Sequence, residues 1–217
     1  MELSTKLVKE WEEANQCKTQ LSHGQPGSIT EEQVVWRPPE AGFYKLNVDA
    51  SLHSGESMFA LGLIVRHDRG QFIMGKNMKI AGELSVMEAE ATRVYEVIKW
   101  INSTDLHHVV IESDSQLVVH ALHAEDSYQL EVGHIIDECK EKLKEQTDLS
   151  VLHVEKQANK AAHLMTRVPY LLDSYNYFIS PPELLLEMLP SNFQVNENFL
   201  VFQKKTCTSL CYTRGLY

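Results

Sequence analysis

The sequence contains no long uninterrupted apolar segment. It has no run of about 18 apolar residues, the length that a helix needs to cross a membrane. The stretch from Met1 to Lys6 also lacks the apolar core of a secretory signal peptide. We therefore expect an intracellular protein without a membrane span, and we expect it to be a monomer.

Positive charge and cysteine are also scarce. The chain has 20 Lys and Arg against 30 Asp and Glu, which gives a formal net charge of -10. Broad electrostatic attraction to nucleic acid is not expected, because non-specific affinity comes mainly from Lys and Arg on phosphates. A local basic groove is still compatible with this charge. The 4 cysteines lack zinc-finger spacing, so reduced thiols are expected rather than a zinc site.

Length and composition predict one domain with flanking segments. The 217 residues are 43% hydrophobic, enough to build a real core. Two prolines after Trp36 and Arg37 favour an extended lead-in to that domain. The predicted organisation is an N-terminal helix and linker, a folded domain, an extension with a short helix near 183–188, and a loosely ordered tail, at 1–35, 36–170, 171–195 and 196–217.

The order of predicted elements indicates an α/β fold. Three strands in an antiparallel meander come first, and later strands alternate with helices, which is typical of a mixed sheet. The predicted strands are 43–51, 59–66, 71–79, 108–112 and 149–154. The predicted helices are 84–102, one that opens at 113–115 and runs through 122, 130–145 and 158–167. In the first helix, an apolar stripe at helical spacing follows a capping box of Ser85 and Glu88.

The first predicted strand carries a carboxylate near its end. Alternation sends Leu46 and Val48 to one face and Asn47, Asp49 and Ser51 to the other. A half-exposed strand without function shows the same pattern, because most acidic residues are solvated surface. The interpretation of Asp49 therefore depends on the other carboxylates that reach its face.

Two further carboxylates have plausible positions for that face. Glu90 borders the apolar stripe of the first long helix, where a carboxylate is costly unless it meets a partner; the alternative is a residue at the edge of the stripe that reaches solvent. Asp114 follows a strand, where α/β folds gather ligands, although aspartate also caps helices there. Converging carboxylates bind hard divalent cations, which can activate water for phosphodiester cleavage.

Five segments in this order resemble a type 1 ribonuclease H domain. They are 36–39, 45–51, 62–70, 88–91 and 111–119. The resemblance covers residues 36–170 and is closer to the plant group related to the ribonuclease H region of non-LTR retroelements. It implies a ribonuclease H-like fold, with a five-stranded mixed sheet flanked by helices. It also implies hydrolysis of the RNA strand of RNA–DNA hybrids with Mg²⁺, and Mn²⁺ as a second possible ion.

By position, the resemblance makes Asp49, Glu90 and Asp114 the first three metal-binding and catalytic carboxylates. His163 stands where the family has a fourth acid. A neutral imidazole removes one negative charge and suits softer metals better than Mg²⁺. His163 is therefore a fourth candidate catalytic and metal-binding residue, or a helix histidine packed on the sheet. Plant members of the group often carry histidine there, so the change is compatible with activity.

Candidate substrate contacts are polar residues near these acids. RNA is distinguished by its 2′-hydroxyls, which amide and hydroxyl side chains can recognise. Asn159 matches an asparagine of the family, and the other candidates are Asn47, Ser51 and Ser115. The basic extension with which some members hold substrate is not visible, so weak affinity for the hybrid is expected.

The sequence leaves three functions open. The first is an active, metal-dependent hybrid ribonuclease, favoured by Asp49, Glu90 and Asp114. The second is a catalytically weak, domesticated nucleic-acid-binding or protein-interaction module, favoured by His163 and the acidic charge. The third is a 3′–5′ exonuclease of the same superfold. It is the least favoured, because the acidic motifs of such exonucleases are spaced differently from those in this chain.

Overall fold

The computed structural model describes residues 35–52, 58–82, 85–124, 132–169 and 175–189. The predicted N-terminal helix and the predicted tail lie outside these ranges. The elements in chain order are β1 (Tyr44–Leu52), β2 (Met58–His67), β3 (Phe72–Ala81), α1 (Val86–Asn102), β4 (Val109–Ser113), α2 (Gln116–His123), α3 (Gly133–Glu145), β5 (Leu149–His153), α4 (Lys160–Met165), β6 (Tyr175–Phe178) and a 3-10 helix (Glu183–Met188). None of the described helices is long and apolar enough to cross a membrane.

The strands form one mixed sheet in the order β5-β4-β1-β2-β3-β6. β2 pairs antiparallel with β1 and β3, whereas β4 lies parallel to both β1 and β5. The predicted meander and the mixed α/β class are confirmed. Because β1 and β4 are parallel neighbours, residues that follow the two strands meet at the same edge of the sheet.

The expected count of five strands is wrong, since the described chain has a sixth strand. β6 pairs antiparallel with β3, and Asn176 lies opposite Asn77. Its four residues are too few to show the alternation from which strands are predicted. Pairing with the open edge of β3 therefore creates a strand that the local pattern does not reveal.

The helices show how well local sequence predicts where a helix begins and ends. In α1 the predicted capping box is confirmed, because Ser85 accepts from the Glu88 amide while the Glu88 side chain accepts from the Ser85 amide. The predicted start at position 84 lies outside the described residues, as do positions 130 and 131 of the next long predicted helix. α4 is shorter than predicted, because its flanking residues form turns rather than α-helix.

The sheet is covered on both faces. On one face, α1, α2 and α3 pack over a large core that includes Leu46 and Val48. On the other, α4 and the 3-10 helix pack over a smaller core around Ile64 and Met165. β2 lies between the two layers, and both its faces are buried.

The polar face of β1 is therefore not half-exposed. Asn47 has no exposed surface and Asp49 has 7%. α4 covers this face closely: a Cβ at Gly62, which lies opposite Asp49, would be 2.5 Å from the Ala162 carbonyl oxygen. Asp49 is thus held in a polar layer between sheet and helix.

Candidate functional site

Asp49 is the centre of the candidate site. A hydrogen bond of 2.7 Å joins its Oδ2 atom to Nδ1 of His163. Its Oδ1 atom lies 3.5 Å from Nη1 of Arg93, a long ion-pair contact. Two helices on opposite faces of the sheet, α1 and α4, therefore both contribute a side chain to this carboxylate.

Asp114 enters the site through the parallel pairing of β1 and β4. Val48 lies beside Ser113 in the register, so Asp49 and Asp114 each come one residue after that pair. The pKa of Asp49 is raised above its usual value chiefly by burial. The Asp114 charge raises that pKa further, whereas His163 and Arg93 oppose the shift. The charge of Asp114 therefore acts on Asp49 at this edge of the sheet.

Glu90 has a partner in its own helix. Its Oε2 atom contacts Nη2 of Arg93, which lies three residues later in α1. Arg93 is 3% exposed and also reaches Asp49, so its guanidinium bridges the two carboxylates. The partner that a carboxylate at the edge of an apolar stripe requires is therefore this arginine.

His163 is positioned by the attachment of α4 to the sheet. Asn159, immediately before α4, donates its Nδ2 to the Val48 carbonyl oxygen at 2.9 Å. Asn77 of β3 donates to the Val168 carbonyl oxygen at 2.8 Å, after the other end of α4. These buried amide bonds hold the helix so that the half-exposed imidazole of His163 reaches Asp49.

The four predicted substrate residues occupy different environments. Asn159 is 2% exposed and ties α4 to β1, and Asn47 is fully buried. Ser51 in β1 and Ser115 at the N-cap of α2 are partly exposed. The serines are therefore the more accessible of the four, and substrate contact by any of them stays a prediction.

Asn47 begins a row of buried polar side chains that leads away from the three candidate metal ligands. Asn47 accepts from Arg66 Nη2 at 2.6 Å and donates to Glu112 Oε2 at 2.8 Å. Glu112 also pairs with Lys45, and the Arg66 guanidinium lies 3.4 Å from the centroid of the Trp36 ring. Burial lowers the pKa of Arg66 to about 9, against the opposing effect of the Glu112 charge. The extended lead-in at Trp36 is thereby fixed to the sheet.

Arg93 is a functional candidate that no sequence pattern predicted, and the same holds for Arg66 and Glu112. The available signal for Arg93 was its spacing of three from Glu90, which places both on one side of a helix. For Arg66 and Glu112 the signal was a charge within strands that are otherwise apolar. Neither signal names the partner, because the partner comes from a distant segment.

The predicted ligands have the donor chemistry that hard divalent cations prefer. Asp49, Glu90 and Asp114 offer carboxylate oxygens, which such ions prefer, and a cation would relieve the repulsion between Asp49 and Asp114. Within the described ranges, however, no group of three or more His, Cys, Asp or Glu side chains is arranged to hold a metal. The guanidinium of Arg93 already contacts two of the three carboxylates.

The free energy of unfolding of Asp49→Asn is expected to rise relative to that of wild type as the pH increases. The raised folded-state pKa means that the folded protein holds this proton more tightly than the unfolded chain. The resulting stabilisation is complete below pH 3.8, the unfolded value, and is lost as the pH rises through the folded value. The amide of the variant does not titrate, so urea unfolding between acidic and neutral pH measures the difference.

Asp148→Asn is the control, and its stability relative to wild type should change with pH in the opposite direction. Its hydrogen bond to His107 lowers the pKa of Asp148, so this carboxylate stabilises the fold above its unfolded pKa and stops doing so in acid. Asp148→Asn should therefore become less stable relative to wild type as the pH rises. The same slope for both variants, or a flat difference for Asp49→Asn, would contradict the assignment.

Comparisons with known proteins agree with this architecture. Residues 47–167 match the family model described as reverse transcriptase-like. A protein of Arabidopsis thaliana, whose name assigns it provisionally as a ribonuclease H protein, is 23% identical over 189 residues. That match covers 85% of this chain but only 30% of the relative, so the chain spans less than a third of the relative's length.

Two solved structures are similar to the chain. Ribonuclease H1 from the halophilic archaeon Halobacterium salinarum NRC-1 shares 20% identity at a TM-score of 0.50, covering 56% of this chain and 92% of that one. A ribonuclease H1 isolated from compost by a metagenomic approach shares 15% identity at a TM-score of 0.48, with 56% and 91% covered. The first of these supports the fold.

Fold, site and comparisons define a ribonuclease H-like domain, and the resemblance seen in the sequence motifs is confirmed. The family match spans more than half of the chain. The chain belongs to the reverse transcriptase-like family.

Proposed function

We propose that residues 36–170 form a ribonuclease that cleaves the RNA strand of RNA–DNA hybrids internally, with a divalent cation. The observation that carries this proposal is that Asp49, within β1, lies near Asp114, directly after the parallel neighbour β4, close enough for the Asp114 charge to affect Asp49. A buried carboxylate beside a half-buried one lowers the stability of the fold, so a purely structural role would not favour this pair. The ribonuclease H-like fold supports the same activity.

In this proposal Asp49, Glu90 and Asp114 hold the cation, Mg²⁺ or Mn²⁺. When bound, such an ion polarises the phosphate and lowers the pKa of a coordinated water. The residues of the chain orient the site: His163 holds Oδ2 of Asp49, and Asn159 fixes the helix that carries His163. The cover of α4 also excludes water from the inner side of Asp49.

The hybrid would be bound mainly by its backbone. Ser51 and Ser115 are partly exposed hydroxyls suited to the 2′-hydroxyls of the RNA strand. Lys156, shortly before α4, and Lys160, its first residue, are exposed and supply positive charge for phosphates. With a net charge of -10 and few cations near the site, modest affinity is expected, and its salt dependence should be shallow because few phosphates are neutralised.

Cleavage of a hybrid with end-labelled RNA tests the proposal. With Mg²⁺ or Mn²⁺, we expect the full chain to cut the RNA at internal positions and so to produce shortened labelled fragments. No such fragments are expected with a chelator, and the DNA strand should stay intact. Asp49→Asn sets the baseline, since it keeps the shape of the side chain and removes its charge. If neither ion gives cleavage above that baseline, the enzyme proposal fails.

A second candidate is a hybrid-binding module without turnover. The contacts of Arg93 with two of the three carboxylates favour it, because they occupy oxygen atoms that a cation would need. Saturable binding of the hybrid by wild type and Asp49→Asn alike, without cleavage, would identify this function.

A further inference from the structure

Arg93 lies among the carboxylates of the proposed cation site. Its Nη1 atom is 3.5 Å from Asp49 Oδ1, and its Nη2 atom contacts Glu90 Oε2. The side chain is 4% exposed, and its Nε atom has no hydrogen-bond partner within the described part of the chain. The two terminal nitrogens of the guanidinium thus face two different carboxylates.

The charge of Arg93 matters because Arg93 and Asp49 are both buried away from water. A buried guanidinium is costly unless it is paired, and arginine stays protonated in proteins. Burial lowers the pKa of Arg93, while the charges of Asp49 and Asp114 raise it again. Arg93 therefore offsets one negative charge of a group that otherwise holds three.

A purely local role explains less of this geometry. An ion pair within one helix needs only Glu90, three residues away. The arginine instead extends to Asp49, which is 44 residues distant in sequence and belongs to the sheet. The guanidinium thus bridges the two carboxylates that a shared cation would have to bridge.

We propose that Arg93 is a built-in counter-ion that a divalent cation must displace from Asp49 and Glu90, so that this arginine sets the metal affinity of the site. The proposal rests on the proposed function only in taking these carboxylates as the ligands. Arg93 is a positioning residue in this scheme. It weakens cation binding and keeps the unliganded carboxylates in place.

Titration of the full chain with Mn²⁺, without nucleic acid, tests the proposal. Free Mn²⁺ is measured by electron paramagnetic resonance, so the readout does not depend on cleavage. Arg93→Gln is expected to bind Mn²⁺ at least roughly tenfold more tightly than wild type, because a like charge a few ångströms from the ion is removed. Adding Asp49→Asn to Arg93→Gln should abolish the gain.

Arg66→Gln is the matched control. Arg66 is 4% exposed, against 3% for Arg93, and its Nε atom likewise has no hydrogen-bond partner among the residues that the structure describes. Its contacts are Asn47 and Trp36 rather than the three acids. Loss of a buried arginine is thus matched, and the Mn²⁺ affinity of Arg66→Gln should equal that of wild type.

If Arg93→Gln does not fold, as judged by circular dichroism, Arg93→Lys replaces it. A lysine keeps the charge but lacks the planar fork that engages two carboxylates at once. The charge still repels the ion, but at least one carboxylate no longer has to be released by the side chain at position 93 before the ion binds. Tighter Mn²⁺ binding by a smaller factor than in Arg93→Gln is therefore expected, and unchanged or weaker binding would overturn the proposal.

The two proposals fail in different ways. Hybrid cleavage by wild type together with unchanged Mn²⁺ affinity in Arg93→Gln would overturn the role of Arg93 and leave the ribonuclease intact. Tighter binding in Arg93→Gln without any cleavage would support the counter-ion and contradict the enzyme. Equal Mn²⁺ affinities in Arg93→Gln and Arg66→Gln would overturn the role of Arg93.

Discussion

Replacing Gly62 by alanine is expected to destabilise the folded protein by about 1–3 kcal/mol, the usual cost of overpacking a filled interior. The added Cβ would lie 2.5 Å from the Ala162 carbonyl oxygen and 2.6 Å from the Thr166 amide nitrogen. Both are backbone atoms of α4 or its C-cap, so no side-chain rotation relieves the contact. The helix would have to move from the sheet, against the hold of Asn159 and Asn77.

The sign of this effect is informative. Alanine in a strand interior is ordinarily favoured over glycine by roughly 0.5–1 kcal/mol, because glycine loses more conformational freedom on folding. A loss of stability in Gly62→Ala therefore isolates the close approach of α4. The free energy of unfolding in urea, followed by tryptophan fluorescence, measures it.

Gly75→Ala provides the comparison on the same face of the sheet. Its Cβ would lie 2.8 Å from the terminal methyl carbon of Met165, a flexible group that can rotate away, and 3.1 Å from the Leu63 carbonyl oxygen. A smaller loss is expected. Equal losses at Gly62 and Gly75, or no loss at Gly62, would show that α4 does not pack as closely as described.

Asp114→Asn is expected to slow hybrid cleavage by roughly a hundredfold or more, since charge stabilisation by a bound cation supplies several kcal/mol. Asparagine keeps the size of the side chain and removes the charge that a cation needs. The substitution also removes the charge that raises the pKa of Asp49, so the fold should not suffer. Initial rates of RNA release at saturating hybrid measure the effect.

Asp105→Asn is the corresponding control. Asp105 is an exposed acid in the loop before β4, so the variant makes the same chemical change away from the site. Its rate should match wild type, and hybrid binding should be similar in both variants. A rate for Asp114→Asn within a few-fold of Asp105→Asn would remove Asp114 from the proposed mechanism.

Local sequence was sufficient for much of the architecture. Alternation located β1 to within one residue, because side chains on a strand must point to opposite faces. The apolar stripe and the capping box located α1, because both depend on residues three and four apart. Asp49 and Asp114 were likewise placed near the ends of predicted strands, whereas the pairing of those two strands was not predicted.

The environment of these acids was decided by tertiary structure. Nothing near Asp49 in sequence indicates that α4, more than 100 residues later, buries it and brings His163 to 2.7 Å. The bridge made by Arg93 depends on the meeting of α1 with the end of β1. β6 exists because β3 offers it an open edge.

The sequence by itself thus determined the periodic elements, the three carboxylates and the histidine that departs from the family motif. Only the tertiary structure decided that Asp49 is buried, that Gly62 admits α4, and that an arginine lies among the acids. The physical reason is the range of the interactions. Periodicity and capping act within a few residues, whereas desolvation and charge pairing depend on which distant segments come into contact.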